Sequence, residues 1–223
     1  MDVSGPGAIT PDGCSVEVYS LLEQRDELAM VQAVAPPGAA VLELGAGAGR
    51  VTRSLVAAGY ALTAVDESRE MLARIEDAAV DLVPARIQDL DLGREYDAVL
   101  LMSHLINTDD DVLRHQFLAS CRRHVTRDGV VLVQAHPPEW FDRADEVRGV
   151  DGDVAVRLHN IIRPDPGRLM ATVEYTHQER RWSHTFTARR LDERDIRLAL
   201  DAAGLAFDRW VDDEHAWFSA HIR

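Results

Sequence analysis

Positive charge is scarce in this sequence. Across 223 residues, 24 lysines and arginines stand against 38 aspartates and glutamates, for a net charge of −14. Proteins that hold nucleic acid do so with basic clusters that displace counterions, and the summed field here repels a polyanion. The arginine pairs Arg180-Arg181 and Arg189-Arg190 have acidic neighbours and read as solvated surface. Nucleic acid is therefore not expected as a partner, and a small molecule is the favoured substrate class. Cysteine is nearly absent: Cys14 and Cys121 are far apart and in no metal-like spacing, which argues against a disulfide scaffold and a zinc ribbon. No metal is expected, since no H-E-x-x-H or comparable histidine pair occurs. No window reaches the roughly 18 apolar residues of a membrane span. The opening MDVSGPGAITPDG has an acid and turn formers where a secretory signal needs a basic end and an apolar run. A cytoplasmic protein that does not engage membrane is expected, with a homodimer left open.

What is present is rhythm. The length suits one full α/β domain burying roughly 70% of the surface its unfolded chain exposes. Residues 1–13 read as a loose leader. Val16, Tyr19, Leu22, Leu28 and Val31 predict an amphipathic helix over Val16–Val34, stopped by Pro36-Pro37-Gly38. Strands are predicted at Ala40–Leu44, Ala61–Val65, Leu82–Ile87, Tyr96–Leu101 and Gly129–Gln134, with helices at Arg50–Ala58, Ser68–Ala78 and Asp110–Val125 between them. Such alternation means βαβ units, a parallel sheet and helices on both faces, with ligands at the C-terminal strand ends. After Gln134 the pattern changes to antiparallel material: Asp153–Arg163, Leu169–Arg181 and Trp182–Arg190, with a turn at Pro164–Gly167. A helix over Leu191–Ala203, stopped by Gly204, and strands at Leu205–Val211 and Ala216–Ile222 complete the chain. Three parts follow: residues 1–142 as an N-terminal helix and α/β core, 143–190 as an antiparallel insertion, and 191–223 as the helix and strand pair completing the core.

The stretch VLELGAGAGR, Val41–Arg50, is a strand running into a glycine-rich turn. The dinucleotide fingerprint G-x-G-x-x-G fails because Arg50 stands where its third glycine belongs. The phosphate-loop pattern fails as well, since no G-K-[ST] follows. Glu43, two residues before the first glycine, would repel a pyrophosphate and suits a ligand carrying positive charge.

Glu43, Gly45, Gly47 and Gly49 match E/D-x-G-x-G-x-G, and here the sequence resembles the class I S-adenosylmethionine-dependent methyltransferases, in their small-molecule branch. Two further matches follow in order: Asp66 in TAVDES at the end of the second predicted strand, and Ile87-Gln88-Asp89-Leu90 after the third. The resemblance implies a doubly wound, seven-stranded Rossmann-like α/β sheet with an antiparallel β insertion after the fifth strand. It implies S-adenosyl-L-methionine as cofactor, leaving as S-adenosyl-L-homocysteine. In the family the residue matching Asp66 bonds both ribose hydroxyls, and those matching Gln88, Asp89 and Leu90 hold the adenine. Ala46 in the turn, Glu67 beside Asp66, and Ser103 after the fourth strand complete the implied contacts. Tyr19 is similar to an aromatic that several members fold over the cofactor. Two other roles stay open: Asp66 as the cap of the helix near Ser68, and Asp89 as a turn residue.

Methyl transfer from a sulfonium is mostly alignment, worth roughly 7 to 11 kcal/mol of barrier; a base is needed only for a protonated acceptor. The candidates lie after the fourth strand (Ser103, His104, Asn107) and after the fifth (His136, Glu139, Trp140). Neither loop has the N-P-P-Y form that resembles methyltransferases of DNA amines or of protein glutamine. His104 and His136 are the candidate bases, competent above an unperturbed pKa of about 6.5; Pro137-Pro138 would stiffen the loop of His136. The insertion resembles the sheet that sugar N-methyltransferases and glycine methyltransferase-like enzymes add over their sites, and carries Arg157, His159, Tyr175, His177, Trp182 and His184. The expected function is methyl transfer to an O or N atom of a small-molecule acceptor. Intramolecular cyclisation at the same cofactor and a non-catalytic cofactor-binding module remain the alternatives.

Overall fold

Val41, Leu42, Glu43 and Leu44 are buried in succession, so the strand before the glycine turn is covered on both faces, as in a parallel sheet between helices. The computed structural model describes residues 3–223. Its elements in chain order are β1 (Val3–Ser4), α1 (Val16–Tyr19), α2 (Glu27–Gln32), β2 (Ala40–Leu44), α3 (Thr52–Ala57), β3 (Ala61–Asp66), α4 (Arg69–Leu72), β4 (Asp81–Pro84), β5 (Tyr96–Leu101), α5 (Asp111–His124), β6 (Val125–Gln134), α6 (Pro138–Arg143), β7 (Val147–Asp151), β8 (Val154–Asp165), β9 (Arg168–His177), β10 (Arg180–Arg189), α7 (Glu193–Ala202), β11 (Leu205–Trp210) and β12 (Trp217–Ile222).

Seven strands form one sheet in the order β4-β3-β2-β5-β6-β12-β11. Only β12 runs against its neighbours. The chain proceeds outward from β2 to β4, then returns to β5 on the other side of β2, so the order reverses between β2 and β5. Leu42, Leu44, Val99 and Val131 pack on one face with Phe117 and Leu118 of α5 and Ile196 and Leu200 of α7. Val41, Ala64, Leu100 and Leu132 pack on the other with Val31 of α2, Leu55 of α3 and Leu72 of α4. The expected seven-stranded α/β sheet is present, with an antiparallel portion. Among the described residues no helix is long and apolar enough to cross a membrane.

A second, antiparallel sheet has the order β1-β10-β9-β8-β7. Leu169, Ala171, Val173 and Tyr175 alternate along β9 and turn inward, toward two clusters that also take in Val18 of α1, Phe141 of α6 and Trp182 of β10.

Several boundaries differ from the sequence reading. Met1 and Asp2 of the expected leader lie outside the described residues, and the remainder is not loose. Val3 and Ser4 pair with β10, the Trp182 indole Nε1 donates to the Pro6 carbonyl at 2.9 Å, and Val16 packs on Ala48 of the glycine turn and on Met71. The single expected helix over 16–34 is broken across 20–26. There the Ser20 hydroxyl donates to the Glu17 carbonyl, and groups from distant parts of the chain capture the backbone of Glu23. Helix α4 stops at Leu72 rather than Ala78, and β4 ends at Pro84, followed by a 3-10 turn over Ile87–Asp89. The turn between β9 and β10 falls at residues 178–179, with Gln178 at φ +55°, rather than between Arg181 and Trp182. Helix α6 and strand β7 had no periodic signal long enough to announce them.

Candidate active site

The glycine turn follows β2 at the point where strand order reverses. Gly45, Gly47 and Gly49 have φ of +74°, +56° and +79°, which side chains rarely adopt. The amides of Gly45 and Ala46 both donate to the Val65 carbonyl at 2.9 Å, so β3 anchors the start of the turn. A Cβ on Gly49 would lie 2.5 Å from Ile75 Cγ1, whereas one on Gly47 meets nothing within 4 Å. Gly49 therefore serves packing, and Gly47 faces open space.

Asp66 ends β3 opposite that space. Its Oδ2 accepts from the Gly47 amide at 2.8 Å and its Oδ1 from the Ser68 amide at 2.9 Å. Burial raises its pKa, and the two amides oppose the shift. Ser68, not Asp66, caps α4: its hydroxyl accepts from the Met71 amide. Glu67 is exposed beside it. A cofactor with two vicinal hydroxyls fits this arrangement, because Asp66 holds an acceptor at the edge of an open, glycine-walled space.

Glu43 is placed differently from its neighbours. It points toward α3, where its Oε2 accepts from Thr52 Oγ1 at 2.6 Å. Burial pushes its carboxyl up to about 7, with the Thr52 hydroxyl and the Arg50 guanidinium opposing. After β4, the Gln88 side-chain amide lies against the Arg86 guanidinium. Asp89 is exposed with Arg86 at 3.7 Å, and Leu90 is buried.

The loops after β5 and β6 are neighbours because their strands are. Ser103 and His104 both have positive φ, +54° and +59°. Two consecutive non-glycine residues in the left-handed region cost about 1–2 kcal/mol each. The elbow is held by the Ser103 amide donating to Gln134 Oε1 at 2.9 Å. It brings the His104 ring onto the His136 ring, with centroids 3.8 Å apart, and His136 in turn lies on Trp140, at 4.0 Å. His136 is covered on both faces, whereas His104 ends the column. Burial first, and then Arg50, lowers the pKa of His104 to about 4; burial and His104 lower that of His136 to about 2. Both rings are neutral at physiological pH.

Asn107 joins the surrounding parts. Its Oδ1 accepts from the His136 amide at 2.8 Å and its Nδ2 donates to the Arg189 carbonyl at 2.9 Å, tying both strand-end loops to the second sheet. From that sheet Tyr175, His184 and Phe186 face inward, and the Tyr19 ring meets Tyr175 edge-on at 6.1 Å. Burial pushes Tyr175 up to about 12, raises Tyr19 and lowers His184, so these groups too are uncharged. Trp182 is a core residue, 1% exposed, and Arg157 pairs with Glu146 at the surface. Among the described residues no group of three or more His, Cys, Asp or Glu side chains gathers as around a metal.

Sequence reasoning named Asn107 and Trp140 as loop residues without their roles, and missed one pair. Arg50, at the position that breaks the dinucleotide fingerprint, forms an ion pair with the buried Glu27 of α2. A buried acid in a helix and an arginine closing a glycine turn are the only local hints of it.

Residues 41–129 match the family described as a methyltransferase domain. No curated protein matches the chain in sequence. Solved structures match nearly its whole length. The CcbJ methyltransferase from Streptomyces caelestis superimposes with a TM-score of 0.74 at 19% identity, covering 93% of this chain and 95% of its own. The sugar N-methyltransferase KedS8 from a Streptoalloteichus species gives 0.70 at 21%, covering 93% and 86%. The amino pentose methyltransferase CalS10 from Micromonospora echinaspora, solved with S-adenosylmethionine bound, gives 0.66 at 18%, covering 95% and 93%. Residues 41–129 are thus similar to a methyltransferase domain, and nearly the whole chain shares the fold of these S-adenosylmethionine-dependent enzymes.

Proposed function

We propose that this chain, built on an S-adenosylmethionine-dependent methyltransferase core, methylates an O or N atom of a small-molecule acceptor held between the glycine turn and the inner face of the second sheet. The cofactor supplies an electrophilic methyl on a sulfonium. Asp66 and the turn of Gly45, Ala46, Gly47 and Gly49 would hold its ribose and methionine ends, with Gln88, Asp89 and Leu90 beside the base. Tyr19, Glu67 and Ser103 would border the same space.

The observation that carries the reading is the column His104–His136–Trp140 at the ends of β5 and β6. Its rings are uncharged, as are Tyr19, Tyr175 and His184. A wall of neutral rings excludes water and orients an acceptor through flat contacts and single hydrogen bonds. With a pKa of about 4, His104 takes up a proton poorly. Its task is to accept a hydrogen bond from the acceptor's N–H or O–H and so aim the lone pair, while alignment supplies most of the rate; the proton leaves with an amine product as its ammonium, or passes transiently through His104 to solvent from a hydroxyl. His136, covered on both faces, backs His104. The sugar and amino pentose methyltransferases of the same fold support an acceptor of that size and polarity.

The test is product analysis. Incubation with S-adenosylmethionine and a panel of amino sugars, hydroxylated aromatics and amines should yield S-adenosylhomocysteine with a methylated acceptor. Release of methylthioadenosine instead would point to cyclisation. Cofactor binding without turnover on any acceptor would point to a binding module.

A further inference from the structure

The break between α1 and α2 is gripped from two directions. From the second sheet, Asp151 at the end of β7 takes the Glu23 amide on Oδ1 at 2.7 Å and the Arg25 guanidinium on Oδ2 at 2.9 Å. From the cofactor turn, Arg50 donates through Nη1 to the Glu23 carbonyl at 3.1 Å and pairs with the Glu27 carboxylate. The second Glu27 oxygen accepts from the Arg25 amide at 2.7 Å. Glu27 is buried, with 3% of its side chain exposed, and the Asp151 side chain is largely covered, with 9% exposed.

Two more contacts point the same way. Gly152, which follows Asp151, has φ +57°, and a Cβ there would fall 2.9 Å from Glu23 Oε1, so the β7–β8 turn lies against the Glu23 side chain. Ser54 of α3, the helix after the glycine turn, donates to Gln24 Oε1 at 3.2 Å. Asp151 and Glu23, 128 positions apart in the chain, are joined by one hydrogen bond, and Arg50 holds the carbonyl of the same residue.

We propose that Asp151, the backbone of Glu23 and Arg50 form a relay that couples occupancy of the cofactor turn to ordering of the β7–β8 hairpin; this rests on the reading of the turn as the cofactor site. Arg50 directly follows Gly49, so the turn anchors the arginine whose guanidinium is held by Glu27 and the Glu23 carbonyl. That guanidinium holds the Glu23 carbonyl, and the amide of the same residue holds Asp151. Fixing the turn therefore fixes the hairpin, and the coupling is reciprocal. Asp151 and Arg50 are positioning residues here: the substrate-side sheet is set in place when the methyl donor is bound.

Hydrogen exchange with and without S-adenosylhomocysteine tests this, and no acceptor is required. In the parent protein the ligand should slow exchange of amides in residues 147–165 about fivefold or more, the lower end of ordinary site-to-site coupling. In Asp151→Ala the ligand should still raise the melting temperature while exchange in 147–165 no longer responds. Glu23→Ala, which keeps both backbone groups, should behave as the parent. Asp151→Asn, which keeps an acceptor for the Glu23 amide, should recover part of the response and serves if the alanine variant does not fold. An equal response in Asp151→Ala and the parent, or none in the parent, overturns the relay. So does loss of ligand binding in a folded Asp151→Ala, which would place Asp151 in the cofactor site. A parent protein that S-adenosylhomocysteine does not stabilise at all overturns the cofactor reading itself, and the relay with it.

Discussion

The imidazoles of His104 and His136 lie face to face, with centroids 3.8 Å apart and planes 6° from parallel. Burial disfavours the charged form of each ring, Arg50 opposes a proton on His104 and His104 opposes one on His136, so both stay neutral far below the ordinary histidine range. Under the proposed function these neutral rings orient an acceptor, in place of a base titrating at about 6.5.

This has a stability signature. Unfolding returns both rings to a pKa of about 6.5, so below that pH the unfolded state binds more protons than the folded one, and stability falls as pH is lowered. The contribution is fully present above pH 6.5 and declines by up to about 1.4 kcal/mol per pH unit for each ring. Urea unfolding at pH 7.5 and at pH 5 should show the loss, and His104→Ala should flatten the slope. An unchanged slope would mean that His104 titrates normally in the folded protein.

Glu43 has the opposite sign. Its folded pKa of about 7 lies above the unfolded value, so its contribution is present below the unfolded pKa and is lost as pH rises through 7. Glu43→Gln keeps an oxygen for the Thr52 hydroxyl and removes the charge. The variant should be more stable than the parent at pH 8, with the difference closing by pH 5. Denaturant midpoints at the two pH values measure it directly.

Gly47 and Gly49 should separate binding from folding. Gly49→Ala drives a methyl into Ile75 at a positive φ and should lower the melting temperature by several degrees. Gly47→Ala meets no protein atom, so it should fold with only the backbone strain of about 1 kcal/mol and lose cofactor affinity. Circular dichroism and calorimetry on the two variants should give these opposite profiles.

How much of this the sequence revealed follows from the range of each signal. The glycine turn, Asp66 and the strand-helix alternation depend on neighbours a few residues away, and these elements lie where they were expected. The strap over 3–15 was missed because it is held by Trp182, 176 positions from Pro6. The break at 20–26 was missed because Asp151 and Arg50 supply partners that an isolated helix would lack. His104 and His136 were legible as strand-end histidines. Their stacking depends on adjacent strands and on a strained elbow at Ser103, which no local pattern encodes.

Asp66→Ala should weaken S-adenosylhomocysteine binding by about tenfold or more, the loss of a charge-assisted bond of about 1.5 to 3 kcal/mol. Because Ser68 caps α4, the helix should survive. Unchanged calorimetric affinity in a folded variant would remove Asp66 from the cofactor site.

A calorimetric titration of the parent protein with S-adenosylhomocysteine and, separately, with NAD decides the identity of the cofactor. Saturable one-site binding of S-adenosylhomocysteine and none of NAD is expected, since Arg50 occupies the third-glycine position of the dinucleotide fingerprint and is tied to Glu27. Binding of NAD with no response to S-adenosylhomocysteine would contradict it.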